Sequence, residues 1–509
     1  MAIVIERGHD RLHRQEGAVL LMFMLILIAV SSYLIMAGLN VRANGAANYG
    51  RSMEVLQQGK EALIAYALVH ADIDLTSPAG PDFPGEFGIL PCPDVNSLLG
   101  EEGNQDPVCS GKYINALGRF PWQSLGLSPL KDAYGQCLWY AVSGYYKNNI
   151  KPDMLNEDTH GTFRLIAPDG SAILAGSTAA DRPAAVLFAP GKAINSQSRE
   201  TATGANLCGG NYAAANYLDA QFPGNPALGT RNYALSGVAN AIDQFIVTAD
   251  AESEEFNDLM ASVTPAEIFG AIKKRGDYAG KLYDQSEADN LTQRVAECLA
   301  SYGSSHGGGN FSLPWPAPYN LSDYRSNTGY DDANGGALSG RLPIIVNDSG
   351  AQTGSTISNL IKHCFSGDAG LTALWKNWKD HLFYAVADAY QPRPGATPDC
   401  ASGLRCITIN NDYPGNSGRD YAAVILYSGA EIPSTQLRTA PPVDIDRKGD
   451  VTNYLEGANN PAGYPDTAGD DTKRYDHAGE DEAFNDVLYC INDHDGDSDD
   501  FEVTPCPIP

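Results

Sequence analysis

The residues best suited to chemistry lie near the carboxyl end. Asp493, Asp495, Asp497 and Asp499 alternate with other residues, and Asp500 follows directly. Alternating carboxylates on a curled loop can turn several oxygens toward one hard cation. Calcium takes about six to eight oxygens at about 2.3–2.6 Å. Gly496 comes too early for an EF-hand, and no glutamate stands at the twelfth place. The segment therefore predicts calcium in some other loop geometry, against the plainer reading of a solvated acidic tail that needs no ion. Cys490 and Cys506 flank it and could close it. Asp466, Asp470, Asp471 and Asp476 form a second, looser acidic group.

Other chemistry is thin. The chain has no HExxH, no G-x-S-x-G and no Walker A loop. His306-Gly307-Gly308-Gly309 is similar to an esterase oxyanion loop, but without a nucleophile elbow it reads as a turn after a helix. Gly415-Asn416-Ser417-Gly418 has the look of a serine-protease loop with no paired His and Asp. Asp258 and Asp486 each sit in a Phe-Asn-Asp triplet. They could act as acid or base, and are read instead as capping a turn or holding a sheet. No catalytic residue is assigned, and the chain is not expected to be an enzyme.

Such residues need elements to hold them. The chain has 509 residues, 43% of them apolar, which is enough for two or three domains with real cores. Its 52 glycines and 31 prolines predict many turns and loops. Trp139, Tyr140, Phe383 and Tyr384 are expected to fill the cores of their strands. With 34 basic and 62 acidic residues the net charge is −28, which argues against nucleic acid as a partner.

Ten cysteines are present, with no CxxC pair and no Cys/His cluster at zinc spacing. An even count in that pattern predicts disulfides and an oxidising compartment. Cys92–Cys109, Cys400–Cys406 and Cys490–Cys506 are the short intervals that could be local staples. Sequence leaves the connectivity open.

The amino-terminal region agrees on the compartment. Arg7, Arg11 and Arg14 precede a run from Ala18 to Gly38 with no charged residue. About 20 apolar residues span a bilayer as a helix. The arginines would hold the N-terminus in the cytoplasm and send the rest across. Asn40 to Ala71 then reads as helix, with Met53, Leu56, Leu63, Ile64, Ala67 and Leu68 near helical spacing. A continuous helix from Ala18 to Ala71 would be roughly 80 Å long.

The junction Arg14-Gln15-Glu16-Gly17 before the apolar run resembles a prepilin leader. The chain thus looks like a type IV pilin-like or type II secretion pseudopilin-like protein. The resemblance implies a leader at 1–17, cleavage after Gly17 by a prepilin peptidase, and Ala18 as the new N-terminus. It implies a transmembrane helix at 18–38 that later packs against other pilin or pseudopilin subunits. It also implies calcium in loops like the one at Asp493–Asp500. Major pilins carry glutamate at the fifth mature position, where this chain has Met22. That departure resembles some minor pilins and the large tip pseudopilin, since a tip subunit has no neighbour above it to pair with a costly buried carboxylate. The alternative is a plain single-span anchor.

The large outer part repeats itself. KEALIAYALVH at 60–70 is similar to VAECLASYGSSH at 295–306, and GILPCPD (88–94) to FSLPWPAP (311–318). GRFPW (118–122) pairs with GRLPI (340–344), and KDAYGQCLWYAVS (131–143) with KDHLFYAVAD (379–388). AAVLFAPGKAINSQSR (184–199) pairs with AAVILYSGAEIPSTQLR (422–438), and EFNDLM (255–260) with AFNDVL (483–488). Six matches in one order predict two related lobes, 39–278 and 279–509, the second opening on a helix from Lys281 to Ser301. Short apolar runs predict strands at Leu138–Val142, Phe163–Ile166 and Ala185–Phe188. Their counterparts are Leu382–Val386, Cys406–Ile409 and Ala423–Tyr427. LPCPD, GRFPWQSLGL and the other motifs of the first lobe also look like a group of bacterial pilin-like proteins.

The expected fold class is α+β: a long N-terminal helix, then two related lobes, each a helix on an antiparallel sheet. The expected function is a minor pilin or pseudopilin of a type IV pilus or type II secretion-like filament, at or near the tip. It would be held in the bacterial inner membrane with its ectodomain in the periplasm until assembly. The alternatives are a tip adhesin for a surface or glycan, and a membrane-anchored periplasmic enzyme.

Overall fold

A computed structural model of the chain describes residues 24, 28, 30–32, 44–70, 87–95, 101–150, 153–167, 172–178, 181–194, 197–204, 206–219, 231–235, 244–247, 256–275, 280–282, 290–306, 312–332, 337–347, 356–357, 360, 364–365, 368–392, 406–410, 420–432, 435–438, 448–459, 474–476, 485–493 and 501–506. The expected leader lies outside these residues, as does most of the expected span at 18–38. Among the described residues no helix is long and apolar enough to cross a membrane.

The first well-defined element is helix α1, residues 44–70. Ser52, Leu56, Gly59, Leu63, Ala67 and His70 are its buried positions, three or four apart, and make one stripe. Gly59 marks the closest approach. A Cβ there would stand 2.6 Å from the Leu187 side chain and 3.3 Å from that of Leu138. The helix backbone therefore lies directly on the sheet beneath.

The strands of the first half are β1 (Ala116–Arg119), β2 (Trp139–Val142), β3 (Phe163–Ile166), β4 (Ile173–Ala175), β5 (Ala185–Ala189), β6 (Gln244–Val247) and β7 (Leu259–Val263). The main sheet has the order β1-β2-β5-β7 and is antiparallel throughout. Side chains alternate between its two faces. Tyr140, Val142 and Leu187 join the core under α1. Trp139, Ala141, Val186 and Phe188 join a second core with Phe163 and Leu165 of β3 and with Tyr217. Both faces are covered, which is why these strands read as unbroken apolar runs. The small sheet β4-β3-β6 differs from expectation in pairing β3 with β6 in parallel. Helix α2 (Pro265–Ile272) follows β7, opened by a Thr264–Glu267 capping box with proline in its first turn.

The second half repeats this plan. Helix α3 (Leu291–His306) packs on its main sheet, and α4 (Ala369–Trp378) is capped by Asp368. The expected helix from Lys281 is helical at 280–282 and again from Leu291. There the Asn290 side chain accepts from the Thr292 and Gln293 amides, an N-cap that fixes the start. The strands are β8 (Ser339–Arg341), β9 (Val346–Asn347), β10 (Thr356–Ile357), β11 (Leu382–Val386), β12 (Ile407–Asn410), β13 (Asp420–Tyr421), β14 (Ala423–Tyr427), β15 (Arg474–Asp476), β16 (Val487–Asp493) and β17 (Phe501–Pro505). The main sheet runs β8-β11-β14-β16 in the order of the first, with β17 added at the edge. Its small sheet, β13-β12-β15, again holds one parallel pair, β12 with β15.

Register matches residue for residue. Tyr140 pairs with Gly118 and Leu187, and Tyr384 with Gly340 and Ile425. The Tyr140 hydroxyl donates to the Pro91 carbonyl, and that of Tyr384 to the Pro314 carbonyl. The chain is thus an α+β protein whose main sheets are antiparallel. The halves also touch: the Phe269 ring of α2 meets Trp378 of α4 edge-on at 6.2 Å.

Candidate functional site

The acidic segment joins two paired strands. Asp493 ends β16 and pairs with Phe501 of β17, while Cys490 pairs with Thr504. A Cys490–Cys506 disulfide clamps the hairpin. Asp495, Asp497, Asp499 and Asp500 lie outside the described residues. So do Gly17 and Ala18, and Asp466, Asp470 and Asp471 of the second acidic group. Among the described residues no group of three or more His, Cys, Asp or Glu could hold a metal ion. Cys92 bonds Cys109 as expected. Cys406 is disulfide-bonded, while the expected partner Cys400 lies outside the described residues. Two longer disulfides, Cys137–Cys208 and Cys298–Cys364, had no signal in sequence spacing.

A second candidate was half-legible: a buried polar network built twice. Arg199 and Arg438 end the matched segments of the repeat. Arg199 donates from Nη1 to the Gly191 carbonyl and from Nη2 to Gln197 Oε1, both at 2.6 Å. Arg438 donates to the Gly429 carbonyl at 2.7 Å and to Gln436 Oε1 at 2.6 Å. Each guanidinium lies over a tyrosine, Tyr217 at 5.3 Å and Tyr454 at 5.2 Å. The planar fork of arginine serves all these partners at once, which lysine could not. Each glutamine then reaches an acid, Asp219 or Glu456. That acid faces the aspartate of the Phe-Asn-Asp triplet, Asp258 or Asp486. The triplet asparagines, Asn257 and Asn485, tie back to the carbonyls of Lys192 and Ala430. Through these bonds Asp258 and Asp486, just ahead of β7 and β16, tie those strands to the segments of Asp219 and Glu456.

In the second half the network gains a charged cluster. Asp158 arrives from the first half and places Oδ2 3.0 Å from His381 Nε2. The Ser428 hydroxyl and Arg438 Nη1 are each 3.2 Å from His381 Nδ1. Asp380 takes the Lys448 ammonium at 2.6 Å and the Tyr454 hydroxyl at 3.2 Å. Asn156, also from the first half, donates to Asp380 Oδ1 and to the Asn377 carbonyl. Burial pushes the Asp158 carboxyl up, but Arg438 and His381 outweigh it and hold it well below the usual carboxylate range. Burial also opposes the Asp380 charge, and Lys448 and His381 overcome it.

Ser428, His381 and Asp158 stand in the order of a hydrolase triad. Their setting is different. Ser428 and His381 have 0% exposure, so a substrate cannot reach the hydroxyl. Arg438 occupies the approach to Nδ1. The cluster joins the halves of the chain. Sequence could have found Arg438 and Asp380 from the repeat, but Asp158 carries no motif.

No protein-family model, no curated protein and no solved structure matches this chain.

Proposed function

We propose that this chain is a structural subunit, a minor pilin or pseudopilin, of a type IV pilus or type II secretion-like filament. One observation carries the reading. Helix α1 lies on an antiparallel sheet from Ser52 onward, while residues 44–51 show no buried position and lead back toward the uncharged run at 18–38. A helix with one end on a sheet and the other free of its own core has a surface to give to a membrane and then to neighbouring helices. On this reading 1–17 is a leader removed after Gly17, and Ala18–Gly38 anchors the chain in the inner membrane with the rest in the periplasm. Other pilin or pseudopilin subunits and the prepilin peptidase are the partners. The Asp493–Asp500 segment takes calcium. The fold's polar groups serve to stiffen the protein, as do its disulfides.

The test is the intact mass and N-terminal sequence of the membrane-bound chain, made with and without a prepilin peptidase. A chain starting at Ala18 only when the peptidase is present supports the reading. Retention of residues 1–17 in both, or cleavage beyond Gly38, removes it.

A further inference from the structure

Each half buries two carboxyl groups against one another, and counting their oxygens leaves one over. In the first half Asp219 uses both of its oxygens. Oδ1 accepts from Gln197 Nε2 at 3.2 Å, and Oδ2 from the amides of Asn257 at 2.7 Å and Asp258 at 2.9 Å. Asp258 Oδ2 accepts from the Asp219 amide at 2.8 Å and Asn232 Nδ2 at 2.9 Å. In the second half Glu456 accepts from Gln436 Nε2 and from the Asn485 amide. Asp486 Oδ2 accepts from the Glu456 amide at 3.1 Å and Asn459 Nδ2 at 3.0 Å. Among the described residues no N–H or hydroxyl donor reaches Asp258 Oδ1 or Asp486 Oδ1, and the Asp486 carboxyl meets that of Glu456. The same atom is left over in both halves.

A buried oxygen of this kind asks for a cation or a proton. A divalent cation needs several free oxygens around it, and three of the four carboxylate oxygens in each half already accept N–H groups. One oxygen is room for one proton. We propose that each half keeps one proton at neutral pH, on Asp258 Oδ1 beside Asp219 and on Asp486 Oδ1 beside Glu456, and that it latches the start of β7 or β16 to the segment holding Asp219 or Glu456, which follows a 3-10 helix at Ala214–Asn216 or Val451–Asn453. Electrostatics agree. Burial, and then the neighbouring acid, push Asp258 and Asp486 well above the usual carboxylate range. Arg199 faces the first pair and opposes this, but burial outweighs it. Losing the proton would set two like charges side by side without water.

The sign follows from linkage. The folded chain holds a proton that the unfolded chain gives up near pH 4, so stability is full at acid pH and falls as pH rises toward the folded value. Over that range each pair costs about tenfold in the folding constant per pH unit.

The test uses the full chain in detergent, with urea midpoints from pH 5 to 9 for the wild type, Asp258→Asn, Asp486→Asn and the matching alanine variants. Asparagine keeps the acceptor for the two N–H groups and places an NH2 where the O–H stands. Each asparagine variant should equal the wild type at pH 5 and lose stability less steeply above it, by about tenfold per pH unit. The alanine variants should lose stability at every pH. Parallel curves for the wild type and the asparagine variants would overturn the proposal. So would asparagine variants no better than alanine at pH 5. A calcium-induced rise in the midpoint that Asp258→Asn or Asp486→Asn abolishes would also overturn it, since the site would then hold a cation. None of these outcomes depends on whether the chain enters a filament.

Discussion

Asp132 and Asp380 hold the same place in the two halves, in the Lys-Asp pair that leads into β2 or β11. Their surroundings set them apart. Asp132 accepts from the amides of Tyr134, Gln136 and Gly191, with Arg199 nearby. Burial outweighs all of these and pushes it up to about 6. Asp380 is buried too, yet it faces Lys448 and stays below its ordinary range. The ionisation of a buried carboxyl is thus set by what stands opposite, and that is where the halves diverge. The first half braces this corner with the Cys137–Cys208 bond, the second with His381, Lys448 and the visiting Asp158.

The largest effect is expected from removing Asp158, the first-half residue in the second half's cluster. Asp158→Ala takes the buried carboxylate away from Arg438 and from the His381 ring and should cost about 3–5 kcal/mol. Urea or thermal unfolding of the full chain reads it. A loss below about 1 kcal/mol would mean that the charged cluster does not hold the halves together.

A smaller effect separates the two aspartates by pH. The folded Asp132 value is raised, so its contribution is present at acid pH and lost as pH climbs from about 4 through about 6, worth at most about 3 kcal/mol. Asp380 is lowered, so its contribution is present above its unfolded value and lost as pH falls below it. Asp132→Asn should therefore flatten the stability profile between pH 4 and 6, and Asp380→Asn should flatten it below pH 4. Identical profiles for the two variants would erase the distinction.

The smallest effect concerns the hairpin at the edge of the second sheet. Calcium at 100 times its dissociation constant should raise stability by about 2.7 kcal/mol, and less at lower excess. Asp495→Asn with Asp497→Asn should cancel the rise. Direct calcium titration by calorimetry checks it, and no heat above the dilution blank would leave the segment as a solvated acidic hairpin.

Much of the scaffold was legible in the chain. The Tyr-Ala-Val strands, the Phe-Asn-Asp triplets and the Gly-Arg pairs recur in order, and each pair falls at matching register. Gly118 and Gly340 show why the pattern is strict. A Cβ at either would sit 2.5 Å from the Asp94 carbonyl or 2.0 Å from that of Ala317, where a neighbouring strand-like segment crosses. The parallel pairs β3–β6 and β12–β15 were not legible, because β6 and β15 are short and lie far along the chain from their partners. Nor were the Cys137–Cys208 and Cys298–Cys364 bonds, which span 71 and 66 residues.

The helix stripe of α1 and the doubled order of strands are written in the sequence, which also offered Cys92–Cys109 and Cys490–Cys506 as candidate staples without fixing them. These follow from local periodicity, near neighbours and repetition, all of which are written along the chain. Only the tertiary structure decided that Asp158 would meet His381, that burial and neighbours would shift Asp132 and Asp380 in opposite directions, and that Asp258 and Asp486 would each be buried against a second acid. Such matters depend on what burial removes and what distant residue it brings opposite, and no spacing in the sequence encodes that distance.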